Sequence, residues 1–154
     1  MSRARRALWI AVPAVVAACG LASVVAAGDD APPASVAGIK DLMLTVNEGP
    51  TSVVGQLRDA FAQKELDDEA WGFAKARATV VAETAVMLWG KKPPIGADDD
   101  AGLSKWRAHV RAYRGCADAA LEAIAKKDVA AGKLAIQQLS KKCNECHKDH
   151  RKEE

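Results

Sequence analysis

Residues 103–125 read LSKWRAHVRAYRGCADAALEAIA. Apolar residues fall at Leu103, Trp106, Val110, Tyr113, Ala117, Leu121 and Ile124, always three or four apart, while Lys105, Arg111 and Glu122 lie on the other side. This is the 3.6-residue period of an amphipathic helix and not the two-residue alternation of a half-buried strand. The same period continues outward in both directions. Downstream of Lys127-Asp128, a pattern starting near Val129 carries Ile136, Leu139, Cys143, Cys146 and His150 on one side. Upstream, a segment opens near Asp67-Asp68-Glu69, acids that suit a helix N-terminus, carries Trp71, Ala74, Val81, Ala85 and Leu88, and ends at Gly90. Lys91-Lys92-Pro93-Pro94-Ile95-Gly96 and Asp98-Asp99-Asp100 between them read as an exposed loop. The three aspartates lack the glycine and distal glutamate of an EF-hand, so a solvated loop is expected there, not a calcium site.

The first segment repeats the pattern at Val36, Ile39, Met43 and Val46 until Gly49-Pro50 interrupts it, because proline removes a backbone donor and disfavours helix in the residue before it. Thr51 or Ser52 then caps a restart carrying Val53 or Val54, Leu57 and Phe61. Four helical patterns, short connections and no strand pattern predict an all-α fold, an antiparallel four-helix bundle over residues 36–150. Residues 28–35, with Pro32-Pro33, form a linker, and residues 151–154 a tail. No internal repeat is visible.

The chain has 154 residues, 49% hydrophobic and 27% charged, which suits one domain and argues against extended disorder. Its formal charge of +2 is concentrated at the start. Residues 1–27 hold Arg3, Arg5 and Arg6 and no acid, so removing three of the 22 bases leaves 19 against 20 acids. A near-neutral remainder excludes a general nucleic-acid binder, which needs a concentrated cationic excess. The apolar run Ala7–Ala27 behind those arginines has the layout of a secretory signal, with Val25-Ala26-Ala27 as a cleavage site. Two other arrangements stay open: a lipoprotein signal ending before Cys19 in Val16-Ala17-Ala18-Cys19, and an uncleaved anchor. All three predict a periplasmic or otherwise extracytoplasmic protein, and two of them tether its N-terminus to the membrane.

The chemistry concentrates in Cys143-Asn144-Glu145-Cys146-His147, the C-x-x-C-H signature of c-type haem attachment. Two cysteines three apart project from one side of a helix and can form thioethers with two vinyl groups. His147, one turn past Cys143, can reach the iron as fifth ligand. A thioredoxin-like pair would follow a strand, and none precedes it. A tetrahedral zinc site needs a fourth ligand, which Cys116 or His150 could supply, but nothing is paired at finger-like spacing. A Cys143–Cys146 disulfide suits an exported chain yet gives the histidine no role. One covalent haem c is therefore expected. Of the four cysteines, Cys19 lies in the N-terminal segment and Cys116 is left alone, most simply as a small buried residue, alternatively as a free thiol or a homodimer link.

A haem motif at the end of an exported four-helix chain resembles the class II c-type cytochromes, the family of cytochrome c prime and cytochrome c-556, over about residues 35–152. The family motif continues C-x-x-C-H-x-x-[YF]-[RK]; here Lys148-Asp149-His150-Arg151 follows, so Arg151 matches and His150 departs from the aromatic. Ile39-Lys40-Asp41-Leu42-Met43 is similar to the start of the family's first helix. No methionine follows Cys143, which rules out the order of class I cytochromes. The resemblance implies that the residue over the distal haem face comes from helix one, making Met43 the candidate sixth ligand and Leu44 the alternative occupant. Met87 reads as core, His109 as a satisfied or exposed histidine in preference to a ligand, and His150, on the same helix as His147, as a haem-edge hydrogen-bonder or a solvated side chain. Arg151, with Lys40, Lys141 and Lys142, is a candidate propionate contact, and Trp71, Trp89 and Trp106 are candidate core or pocket walls.

The resemblance further implies electron transfer between unidentified redox partners, with no turnover of an organic substrate. One alternative is a five-coordinate binder of nitric oxide or carbon monoxide, with an apolar residue over the iron. Another is a haem-free helical interaction module with a CxxC disulfide.

Overall fold

A computed structural model of the chain describes residues 37–151, and every described secondary-structure element is helical. The expected signal, the linker and residues 152–154 lie outside the described residues. Helix α1 spans Ile39–Leu42 and runs directly into a single π-helical turn, Met43–Asn47. Helices α2 (Val53–Ala62), α3 (Asp68–Trp89), α4 (Asp100–Ala125) and α5 (Val129–His150) follow. Among the described residues no helix is long and apolar enough to cross a membrane.

The helix starts follow local chemistry. Gly49 takes a left-handed φ of 83° and Pro50 follows, which stops the first segment as expected. Of the two candidate caps it is Ser52 whose hydroxyl accepts the Gly55 N–H, at 3.0 Å. Asp67, Asp99 and Asp128 cap the next three helices, accepting from Ala70, Gly102 and Ala131 at 2.7–2.9 Å. Each carboxylate satisfies an orphan donor and favours the positive end of the helix dipole. Asp99 and Asp100 thus open α4 instead of extending the loop.

Residue pairs across the helices fix their directions. Phe61 near the end of α2 meets Trp71 near the start of α3, ring centroids 6.2 Å apart. The Trp106 indole near the start of α4 donates to the Leu88 carbonyl near the end of α3 at 3.2 Å. Lys105 early in α4 pairs with Asp149 at the end of α5 at 2.8 Å. Successive long helices therefore run in opposite directions, and α2 also packs on α5, closing the ring.

The core is built from Leu57 and Phe61 of α2, Ala74, Ala78 and Val81 of α3, Val110 and Ala117 of α4, and Ile136 and Leu139 of α5. The alanines let α3 and α4 approach closely, and the large side chains fill the spaces between. At Gly132 the helices approach so closely that any Cβ there would enter the Phe61 ring. This filled region lies toward the Phe61–Trp71 end. The other end, where α1 and its π turn meet the start of α4 and the end of α5, is open.

Replacing Gly132 with alanine should destabilise the protein by about 1–3 kcal/mol through overpacking against Phe61, read as a lower melting temperature. Gly72→Ala, on α3 where an added Cβ meets open space, should instead stabilise by up to about 1 kcal/mol through helix propensity.

Candidate functional site

The open end holds a cavity of about 950 Å³. One wall is the last two turns of α5, where helical spacing puts Cys143, Cys146 and His147 on the cavity side, each half-buried. Ile39, Met43 and Leu44 of the first segment contribute a second wall, and Trp106, Val110 and Tyr113 of α4 a third. Leu88 and Pro94 also line the space, and Lys40, Glu48, Lys142, Lys148 and Arg151 add charged side chains. The volume is at the upper end of the range of about 300–1,000 Å³ for ligand and cofactor pockets. Two thiols, an imidazole and a thioether set among apolar walls fit a large, mainly apolar group that carries a metal and is bonded through sulphur.

Burial pushes the Cys143 thiol up to about 11, with Cys116 nearby adding to the effect. Burial likewise pushes Cys146 up to about 11, assisted by Cys143. Both thiols stay protonated at neutral pH, and both are free. Burial, and then the Arg151 guanidinium, hold His147 below its ordinary value, so its imidazole is neutral and has a lone pair to offer a metal. The Tyr113 hydroxyl is raised well above its usual range, first by burial and then by Cys143, so it remains a hydrogen-bond donor.

Met43, the expected sixth ligand, lines the cavity half-buried. Its Sδ accepts a hydrogen bond from Asn47 Nδ2 at 3.6 Å, and Tyr113 donates to Asn47 Oδ1 at 2.9 Å. Leu44 also lines the cavity but is 53% exposed. Asn47 was not legible as a site residue in the sequence. Its position four residues after Met43 was a signal, but nothing local linked it to Tyr113, 66 residues away.

His150 is 3% exposed, which removes the solvated reading. Its Nδ1 lies 3.0 Å from the Ile95 carbonyl, an acceptor only, so Nδ1 carries the proton and the buried Nε2 has no hydrogen-bond partner. The ring meets Trp106 edge-on at 5.4 Å and His109 at 5.5 Å, packing as an aromatic side chain would. His109 is satisfied by Asp149 at 2.8 Å, and Asp149 also accepts from Lys105. These two bonds hold the Asp149 carboxyl below the usual carboxylate range.

Other expected site residues are spread out. Arg151 lines the cavity and pairs with Glu48 at 3.3 Å, while Lys142 pairs with Glu145 at 2.8 Å. Lys141 is exposed and outside the lining. Of the three candidate tryptophans only Trp106 is a cavity wall. Trp71 packs on Phe61 in the core, and Trp89 is 42% exposed with the Arg107 and Arg111 guanidinium groups 5.6 and 5.5 Å from its ring centre. Cys116 is half-buried. Among the described residues no three His, Cys, Asp or Glu side chains are grouped to hold a metal by themselves.

No protein-family model matches the chain, and no curated protein and no solved structure was found to match it.

Two properties of the chain follow from the buried thiols. At pH 8 Cys143 and Cys146 should alkylate about a hundredfold more slowly than an ordinary cysteine, because two pKa units remove that fraction of thiolate. The folded thiols ionise above the unfolded ones, so the stability they confer is present below about pH 9 and is lost as pH rises toward about 11. Urea melts across that window should show this loss, and it should shrink in a Cys143→Ser/Cys146→Ser variant.

Proposed function

We infer that the protein is an exported monohaem c-type cytochrome of the class II kind, an antiparallel four-helix bundle that carries electrons between redox proteins. The observation that carries this reading is the convergence of Cys143, Cys146 and His147 with Met43 on one cofactor-sized cavity. Met43 is about a hundred residues from the other three, and only the motif itself is a local pattern.

Cys143 and Cys146, both free thiols, would hold the haem through thioethers. His147 has a neutral imidazole that would hold the iron. Met43 would add a thioether, a ligand that favours ferrous iron and a raised potential. Trp106, Val110 and Leu88 exclude water from the faces of the group. Lys148 and Arg151 give the cavity positive charge that suits propionates. When bound, the haem supplies a one-electron ferric/ferrous couple. A haem would take only His147 and Met43 as iron ligands, so this reading, unlike a zinc site, does not require three protein ligands to be grouped in advance. The export signal agrees with attachment outside the cytoplasm.

Co-expression with the haem-attachment machinery should yield protein that retains haem through acid-acetone extraction and has sharp ferrous α and β bands. Cys143→Ala/Cys146→Ala should lose the covalent haem, and Met43→Ala should turn the spectrum high-spin. A wild-type chain without covalent haem would falsify the reading. A high-spin wild-type spectrum that changes with carbon monoxide would replace electron transfer with gas binding.

A further inference from the structure

We propose that Asn47, held in place by Tyr113, is a positioning residue that aims the thioether of Met43 at the iron and weakens its donation to the ferric state. The inference rests on the haem reading above and extends it to residues that no sequence motif marks.

The hydrogen-bond chain has only one self-consistent orientation. A thioether sulphur has no proton to give, so the Asn47 amide must turn its Nδ2 toward Met43 Sδ, at 3.6 Å. Its Oδ1 then faces Tyr113, whose hydroxyl donates at 2.9 Å. Tyr113 is 7% exposed and lines the same cavity as Met43 and Cys143. The chain thus connects rigid helix α4 to the sulphur across the cavity.

The backbone here has an unusual form. Met43–Asn47 is one π-helical turn, a rare element frequently found at functional sites, and it brings Met43 and Asn47 within bonding range. Asn47 is the last residue of that turn, and Glu48 beyond it is already extended. The amide therefore sits where the first segment ends, braced by α4.

The chemical consequence concerns the two lone pairs of the sulphur. The amide N–H occupies one and leaves the other for the iron, which removes rotational freedom that an unbraced methionine would have to lose on binding. A donor hydrogen bond also draws electron density from the sulphur. Ferric iron depends more on that density than ferrous iron, so the bond raises the potential, whereas resistance to displacement comes from the lost rotational freedom and is read in the ferrous state, where weakened donation matters least.

The test uses the haem-loaded protein with Asn47→Leu and Tyr113→Phe. Both variants should keep covalent haem. In the ferrous protein carbon monoxide should displace the thioether at about five- to tenfold lower concentration in Asn47→Leu, the range expected for one lost hydrogen bond. The midpoint potential should fall, and Tyr113→Phe should shift both quantities the same way by less. Displacement and potential equal to wild type in Asn47→Leu overturn the proposal, while Met43→Ala turning high-spin leaves the cytochrome reading standing. If Asn47→Leu does not fold, wild-type displacement and potential in Tyr113→Phe, which removes only a hydroxyl, overturn the proposal instead. Met43→Ala with an unchanged low-spin spectrum overturns both the ligand assignment and the proposal. In the haem-free chain, the ¹³C-methyl resonance of Met43 should move in both variants while that of Met87 stays. A Met43 resonance that stays in both overturns the proposal independently of haem.

Discussion

The antiparallel pairing of α4 with α5 is the constraint on which the rest of the structure depends. The two helices are joined by a turn of three residues, in which Lys127 takes a left-handed φ of 52° and Asp128 caps α5. So short a connection forces the helices back along each other, and their apolar stripes must then meet. Val110, Ala117 and Ile124 face Ile136 and Leu139 in a buried cluster. Each large aliphatic side chain buried there contributes about 1.5–3 kcal/mol, whereas a partly exposed ion pair such as Lys105–Asp149 contributes about 0–1 kcal/mol. Apolar burial therefore holds the pair together, and the ion pair with His109 chiefly fixes which turn of α4 lies beside the end of α5.

This register determines where the chemistry can be. Because the end of α5 lies beside the start of α4, the CxxCH turns face Trp106, Val110 and Tyr113. The first segment breaks at Gly49-Pro50, so α1 and its π turn form a short separate wall, and the space enclosed is left as a cavity. The core, rich in alanine, fills one end of the interior, and the other end is left open as the cavity. His150 shows the same economy of space: its ring contacts Trp106 and ties the Pro93–Gly96 loop to α5 through the Ile95 carbonyl. Gly96 permits this closeness, since its left-handed φ of 73° and missing Cβ let it sit against the Asp149 carbonyl.

Much of the fold was legible because the deciding signals are local. Ser52 and Asp67 mark helix starts through bonds to backbone only three residues away, whereas Asp99 and Asp128, read as loop and helix end, cap α4 and α5 by the same kind of bond. The stripe from Trp106 to Ile124 reported its buried face because helix periodicity and burial coincide there. The CxxCH turn was legible for the same reason, since its three functional groups are within five residues. Trp89 departs from expectation because its size suggests burial, while Arg107 and Arg111 cover its ring at the surface.

What the sequence determined by itself is therefore the helical period, the breaks, the caps at Ser52 and Asp67, and the clustering of two thiols and an imidazole on α5. Tertiary structure alone decided that Met43 shares a cavity with that motif, that His150 is buried with one nitrogen unpartnered, and that Asn47 bridges Tyr113 and Met43. The division has one physical cause. Hydrogen bonds and periodicity within a helix depend on neighbours three or four residues away, which a sequence displays. A cavity and a relay between residues 66 positions apart depend on how helices pack, and that is a property of the assembled volume.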